Sequence, residues 1–223
     1  MKQTLMKNGG MLAAFAVVTT LLISITFLGT ESRIAQQEQK KLLSILTEVV
    51  PTSHYDNELY LDCVSVTDSL LATTETVIYR GTLNNELNAV AIEATAPDGY
   101  SGNIKLVVGM DANLNVLGVR VLSHQETPGL GDKIELSVSD WITSFTGKLY
   151  NPDEEARWNV KKDGGDFDQF TGATITPRAV VASVKRTLQY AQNNLDTIAG
   201  LPNKCALPQT DMSPVDAGEA NDN

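Results

Sequence analysis

The feature that most constrains this chain is a long apolar segment near its N-terminus. Residues 10–30 form a run of 21 amino acids without a charge, centred on residues 11–28. A helix of that length spans roughly 31 Å, which matches the hydrocarbon core of a bilayer. The segment ends in residues 27–31, which do not resemble the small-residue site at which a secretory signal is cleaved. The sequence therefore predicts a retained transmembrane anchor over residues 10–30.

The charges that flank this anchor predict its orientation. Lys2 and Lys7 precede it without any acidic residue, whereas all 27 acidic residues lie beyond it. Lysine and arginine next to a membrane span favour the cytoplasmic side, although three basic residues also follow the span. We expect a single-pass protein of a bacterial inner membrane, with residues 1–9 in the cytoplasm, residues 10–30 in lipid and the large domain in the periplasm.

The rest of the composition excludes several classes of function. The formal net charge of −10 argues against a nucleic-acid partner, because phosphate binding needs a basic face. Two cysteines and two histidines are too few for a zinc ribbon or an iron–sulfur cluster, and we predict no metal site. In a periplasmic domain Cys63 and Cys205 either form a disulfide or remain one buried and one exposed thiol, and the sequence leaves both interpretations open.

Hydrophobic spacing predicts an α+β fold with an antiparallel sheet. Residues 31–58 read as a membrane-proximal helix, ended by Pro51, and a linker. Within a domain over residues 59–200, β-type runs at 59–66 and 77–79 precede three alternating segments, and together they predict an antiparallel meander. The alternating segments are residues 89–96, 104–110 and 116–122.

Helices are predicted after the strands, which favours α+β over a doubly wound sheet. Residues 132–145 have Asp132 as an N-cap and Glu135 as its capping-box partner. A final helix begins at Pro177 and has one apolar face. Residues 201–223 are rich in proline, aspartate and asparagine, and we expect them to be a disordered acidic tail.

The segment at residues 168–177, Asp-Gln-Phe-Thr-Gly-Ala-Thr-Ile-Thr-Pro, is a candidate phosphate site. Thr176 is a hydroxyl N-cap before a proline, and a helix N-terminus offers unpaired backbone N–H groups and a partial positive charge. The Thr174 hydroxyl can face a phosphate held there, and Gly172 and Ala173 allow a bulky group close to the backbone. The alternative is an ordinary capped helix.

A second segment, residues 124–133, contains a tight Thr-Pro-Gly-Leu-Gly loop. Its exposed backbone groups can hydrogen-bond the edge of a planar heterocycle, and Leu130 can pack on the face of such a ring. The alternative is an ordinary loop. Neither segment contains a nucleophile elbow or another catalytic arrangement, and we predict no catalytic residue.

Together these two segments resemble the FMN-binding domain family. Asp168-x-x-Thr171-Gly172-Ala173-Thr174 matches its Asp-x-x-Ser/Thr-Gly-Ala-Thr flavinylation signature, and Glu-Thr-Pro-Gly-Leu-Gly at 126–131 matches its companion motif. Up to about residue 198 the chain resembles the G subunits of Rnf/Rsx ion-translocating electron-transport complexes, most specifically over residues 94–102 and 158–174. The C subunits of sodium-translocating NADH:quinone reductases share the domain and are the nearest alternative.

The resemblance implies a covalent FMN, esterified through its phosphate to Thr174. It also implies a flavin transferase that uses FAD and Mg²⁺ and reads the signature residue Asp168. We expect Lys161 and Lys162 to offset the phosphate charge. The residues that would shape the phosphate site are Thr171, Gly172, Ala173 and Thr176. The residues that would border the isoalloxazine are Glu126, Thr127, Leu130 and Gly131.

The implied function is electron relay within a multi-subunit complex that couples electron transfer to ion translocation across the inner membrane. The other subunits of the Rnf/Rsx complex would be its partners, and the chain would not be an independent catalyst. The alternative hypothesis is an anchored periplasmic binding or scaffold domain without covalent flavin.

Overall fold

A computed structural model describes the backbone of residues 2–205, and the side chains of that range apart from residues 2–5, 31, 32, 34–36, 38 and 39. The N-terminal helix α1 (Lys2–Val49) contains the apolar stretch Met6–Thr30, which has a mean hydropathy of 2.4 and is long enough to cross a membrane. The predicted anchor and the predicted membrane-proximal helix are therefore parts of one helix, which ends just before Pro51.

A five-stranded antiparallel sheet with sequential strand order follows, which confirms the α+β class. Its strands are β1 (Cys63–Val66), β2 (Thr76–Leu83), β3 (Glu86–Gly99), β4 (Gly102–Asp111) and β5 (Val116–Ser123). The three alternating segments correspond to β3, β4 and β5. The run at 59–66 is only partly a strand, because Leu59–Leu61 form a 3-10 turn ahead of β1.

One face of the sheet packs against the C-terminal helix α2 (Ile175–Gly200). Its predicted apolar face is buried on the core side chains of β3 and β4. Beside α2, an aromatic cluster fills the same layer, with neighbouring ring centroids 4.4–6.4 Å apart. The cluster consists of Trp141, Phe145, Tyr150, Trp158, Phe167 and Phe170.

The opposite face of the sheet receives the last turn of α1. Val49 and Val50 are fully buried there against Gly109 of β4 and Gly118 of β5. A Cβ atom on Gly109 would lie 2.0 Å from the Val49 carbonyl oxygen, so only glycine allows this approach. The sheet is thus covered on both faces.

The predicted helix over residues 132–145 is wrong. The chain forms two short 3-10 turns instead, Asp132–Ile134 and Asp140–Phe145. The Asp132 side chain does not cap the first turn, and Glu135 binds the His124 ring at 2.8 Å rather than closing a capping box. The Glu135 side chain that the local pattern assigned to helix capping is thus bound to His124 instead.

The C-terminal end of α2 is tied to the strand β1 region. The buried Arg80 side chain donates to the carbonyls of Ile198 (3.1 Å) and Leu201 (2.7 Å) and pairs with Asp62. Asn203 exchanges hydrogen bonds with the backbone at positions 61 and 63. Cys205 forms a disulfide with Cys63.

The expected disorder of the tail is therefore wrong for residues 201–205, because these contacts hold them on the domain. The remainder of that prediction, residues 206–223, lies outside the described residues.

Candidate functional site

A cavity of about 320 Å³ opens where three chain segments meet: the start of α2, the loop at 124–131 and the turn between β3 and β4. It brings together all of the predicted cofactor residues except Asp168 and Thr171. The residues that line it are Tyr100, Glu126, Thr127, Leu130, Gly131, Gly172, Ala173, Thr174, Ile175 and Thr176.

The start of α2 differs from the sequence prediction. The helix begins at Ile175, and Thr174 rather than Thr176 occupies the N-cap position. Thr176 is fully buried and its hydroxyl donates a hydrogen bond to Glu126 Oε2, a contact across 50 positions of sequence that local patterns cannot reveal. Thr176 therefore holds the helix start against the neighbouring loop instead of capping the helix.

The Thr174 hydroxyl is half-buried at the cavity wall and forms no capping hydrogen bond. Within residues 2–205 no hydrogen-bond partner is present for it. The first backbone N–H groups of α2 have no intrahelical acceptors, as at any helix start. Gly172, at φ +84°, turns the chain sharply just before this point, a conformation that favours glycine. A hydroxyl and a set of N–H donors are thus presented together to the cavity.

The loop at 124–131 forms the facing wall. The amides of Leu130 and Gly131 both donate to the Thr127 carbonyl, at 3.1 and 3.0 Å, and Gly129 takes a positive φ of 77°. This turn leaves the Leu130 side chain 44% exposed at the cavity rim. Glu126, at the base of the loop, is buried and points its carboxylate toward the other two segments.

Asp168 and Thr171 lie on the surface outside the cavity. Asp168 is exposed and pairs with Lys161 Nζ at 2.7 Å, while its carbonyl accepts the Trp141 indole N–H at 2.8 Å. Thr171 is also exposed. The charge of Lys161, which was expected to offset a phosphate, is thus directed at a carboxylate.

Arg178, in the first turn of α2, also faces a carboxylate rather than the cavity. Its guanidinium binds Asp163 through two hydrogen bonds of 2.5 and 2.8 Å. These bonds lower the pKa of the Asp163 carboxyl below its usual range. Lys161 and Arg178 are thus both paired with carboxylates, whereas the backbone N–H groups at the helix start favour an anion.

Two lining residues escaped the sequence prediction, Tyr100 and Ile175. Tyr100 is 68% exposed in the tight turn between β3 and β4, and Ile175 is 45% exposed at the first position of α2. The sequence Gly-Tyr-Ser-Gly indicated that Tyr100 lies in a turn. It could not show that this turn lines the cavity, because strand pairing determines which loops lie together. Together with Leu130, these side chains give the cavity an apolar rim.

These features fit an FMN group. N–H donors at a helix start suit a phosphate, an unpartnered hydroxyl suits a phosphoester, and an apolar rim suits a tricyclic ring. The volume falls in the range of small-molecule sites. Among the described residues no group of three or more histidine, cysteine, aspartate or glutamate side chains could hold a metal ion.

Comparisons with known proteins agree with this fit. Residues 99–189 match the FMN-binding domain family and residues 1–49 match the RnfG N-terminal region. The chain is 52% identical to the G subunit of the ion-translocating oxidoreductase complex of Vibrio atlanticus over 206 residues, covering 92% of this chain and 99% of that protein. It is also 52% identical to the G subunit of the same complex in Pseudoalteromonas atlantica, covering 92% and 96% of the two chains.

Proposed function

Because this chain belongs to the G-subunit family of ion-translocating oxidoreductase complexes, we propose that Thr174 carries a covalent FMN through which the protein relays electrons. An electron-transfer role and association with other subunits of the complex follow from the family and its FMN-binding domain. The attachment point rests on one observation: the Thr174 hydroxyl lines the cavity at the helix start without a protein partner among the described residues.

We propose that the FMN is attached by transfer of its phosphoryl group from FAD to Thr174. The Thr174 oxygen forms a bond to the FMN phosphorus, the bond to the AMP phosphate breaks, the hydroxyl proton is released and AMP leaves. No electrons are exchanged, and Mg²⁺ would neutralise the pyrophosphate charge in the transferase. Asp168 and Thr171 support recognition by a separate flavin transferase, because both signature residues lie on the surface.

In the loaded protein the chain would supply position and electrostatics rather than acid–base chemistry. The N–H groups at the start of α2 would hold the phosphate, and Gly172 and Ala173 would leave room for it. Leu130, Tyr100 and Ile175 would contact the ring and exclude water. FMN, when bound, supplies reversible electron transfer.

We also propose that the flavin domain faces the periplasm. The single apolar helix and the protein family fit a single-pass inner-membrane protein. Lys2 and Lys7 favour a cytoplasmic location for residues 1–9, and the Cys63–Cys205 disulfide suits an oxidising compartment. The proposed organisation is a lipid-embedded anchor at 10–30, a connection at 31–58 whose Val49 and Val50 pack on the sheet, the FMN domain at 59–200, and a tail at 201–223 whose first five residues are held on that domain.

Co-expression with a flavin transferase tests the attachment. After denaturation and electrophoresis, the wild-type band and Thr174→Ser should fluoresce, because both keep a hydroxyl at position 174. Thr174→Ala should be dark, whereas Thr127→Ala, which removes another hydroxyl of the same cavity, should retain the flavin.

Two results would contradict the proposal. A fluorescent Thr174→Ala band would move the attachment to another residue. A dark wild-type band, obtained with a transferase that is active on another substrate, would favour the alternative of an anchored binding or scaffold domain.

A further inference from the structure

Glu126 is a buried carboxylate in the wall of the flavin cavity that lacks a cationic partner among the described residues. Only 4% of the residue is exposed. None of the ion pairs among residues 2–205 includes Glu126. Glutamate is rarely buried without a partner of opposite charge, so this arrangement calls for a reason beyond packing.

Both carboxylate oxygens of Glu126 accept hydrogen bonds from protein donors. Oε1 accepts the Ser101 backbone N–H at 2.9 Å, and Oε2 accepts the Thr176 hydroxyl. Two accepted bonds, one on each oxygen, suit the ionised side chain, which is an acceptor only. In its ionised form the side chain therefore has dipoles as partners, and no cationic side chain among the described residues forms an ion pair with it.

His124, two residues before Glu126, does not supply that cation. His124 Nδ1 accepts the Glu126 backbone N–H at 3.0 Å, so this nitrogen carries no proton. The other ring nitrogen, Nε2, faces Glu135 at 2.8 Å. Both ring nitrogens of His124 are therefore engaged by groups other than the Glu126 carboxylate.

The same carboxylate joins the three segments that form the cavity. Ser101 belongs to the turn that carries Tyr100, Thr176 belongs to the start of α2, and Glu126 itself belongs to the loop that carries Leu130. The fit is tight, because a Cβ atom on Gly131 would lie 2.9 Å from Oε2 and one on Gly99 would lie 3.0 Å from Oε1.

We propose that Glu126 is a positioning residue that holds the three cavity walls together and whose unneutralised charge lowers the reduction potential of the attached flavin. Adding an electron beside a fixed negative charge is unfavourable, and the interaction is strong where water is excluded. This inference rests on the proposed function, because it requires a flavin in the cavity.

The test compares the midpoint potential of the flavin in the full chain, loaded by the transferase in detergent, between wild type and Glu126→Gln. The amide keeps the size of the side chain and removes its charge. We expect the equilibrium constant for two-electron reduction to rise tenfold or more, a positive shift of about 30 mV or more. Glu86→Gln, the same change at an exposed residue at the β2–β3 turn, should leave the potential unchanged.

A second variant separates charge from position. Glu126→Asp keeps the charge on a shorter side chain, so its potential should stay closer to wild type than that of Glu126→Gln. In the flavin-free chain, hydrogen exchange at the Ser101 amide should become faster in Glu126→Asp, since its acceptor is withdrawn. This variant also maintains the test if Glu126→Gln does not fold, because a potential raised by about 30 mV or more despite the retained charge would refute the electrostatic role.

The outcomes distinguish the two proposals. A fluorescent denatured Glu126→Gln band with an unchanged potential would overturn the role of Glu126 alone. Unchanged exchange at the Ser101 amide in Glu126→Asp would overturn its positioning part. A dark wild-type band would overturn the covalent flavin and, with it, this inference.

Discussion

The two ends of helix α2 differ in whether the chain itself provides partners for their unpaired backbone groups. At the C-terminal end, Arg80 donates to the last carbonyls, and residues 201–205 are fastened by Asn203 and the disulfide. At the N-terminal end, the Thr174 hydroxyl is unpartnered within the described residues and the first N–H groups face a cavity. A helix attracts cations at its C-terminus and anions at its N-terminus. The chain supplies the cation from its own sequence, and we propose that the FMN phosphate supplies the anion.

Among the variants considered, Arg80→Ala should lower the free energy of unfolding most, because it acts on the C-terminal end of α2, called here the closed end. It removes the guanidinium from the helix carbonyls and leaves the Asp62 carboxylate without its partner. Arg80 is the buried member of this pair and also holds the helix carbonyls, so its loss should lower the free energy of unfolding by about 3–5 kcal/mol. Urea unfolding of the flavin-free chain in detergent measures this.

Arg120→Ala is the matched control for that variant, because Arg120 pairs with the more exposed Glu48. Its effect should be about 1 kcal/mol or less. Equal losses for the two variants would show that the closed end is not specially stabilised.

Removal of the disulfide should weaken the same end by a smaller amount. The double variant Cys63→Ser, Cys205→Ser loses a cross-link between residues 142 positions apart. The expected loss in the free energy of unfolding is about 2–4 kcal/mol. Reductant should destabilise the wild type similarly and leave the double variant unaffected. A wild type insensitive to reductant would contradict a stabilising bond in solution.

Thr176→Val tests the buried hydroxyl at the N-terminal end of α2, called here the open end, which binds Glu126. It removes the donor to the buried Glu126 carboxylate while keeping the shape of the side chain. A hydrogen bond to a charged group contributes about 1.5–3 kcal/mol, so the free energy of unfolding should fall by that amount. Thr176→Ser, which keeps the hydroxyl, should recover most of it. A neutral Thr176→Val would mean that the bond contributes nothing to the fold.

Thr174→Ala should have the smallest effect on stability. Because the Thr174 hydroxyl makes no capping bond, the free energy of unfolding of the flavin-free chain should change by about 0.5 kcal/mol or less. Chemical denaturation of the two flavin-free proteins measures the difference. A loss of about 1 kcal/mol or more would show that the hydroxyl serves as a helix cap and would blur the contrast between the two ends.

Patterns that are local in sequence predicted most of this fold. The alternation at Ile104, Leu106, Val108 and Met110 yields a strand because these side chains share the sheet face that packs into the core with α2. The four-residue spacing in the last helix likewise indicated its buried face. The apolar segment predicted at 10–30 lies within the described span Met6–Thr30.

The errors come from contacts between distant positions. Thr176 has the form of an N-cap, but its hydroxyl turns to Glu126. Asp132 and Glu135 have the spacing of a capping box, yet Glu135 binds His124. Residues 201–205 look disordered by composition, but Asn203 and Cys205 find partners near Cys63. In each case a tertiary contact overrides a sound local preference.

The candidate site was predictable in part because part of it is local in sequence. Its two motifs are each contiguous in sequence, and the resemblance to a family placed them in one site. Tyr100 and Ile175 were missed because their place in the cavity depends on how the turn between β3 and β4 meets the start of α2.

Peptide mapping by mass spectrometry tests the central claim most directly. The chain, co-expressed with a flavin transferase and denatured, would be digested and each peptide weighed. We predict that the peptide containing Thr174 gains the mass of one FMN less one water, and that fragmentation places the gain on Thr174. An unmodified Thr174 peptide, or a flavin on another residue, would contradict the account.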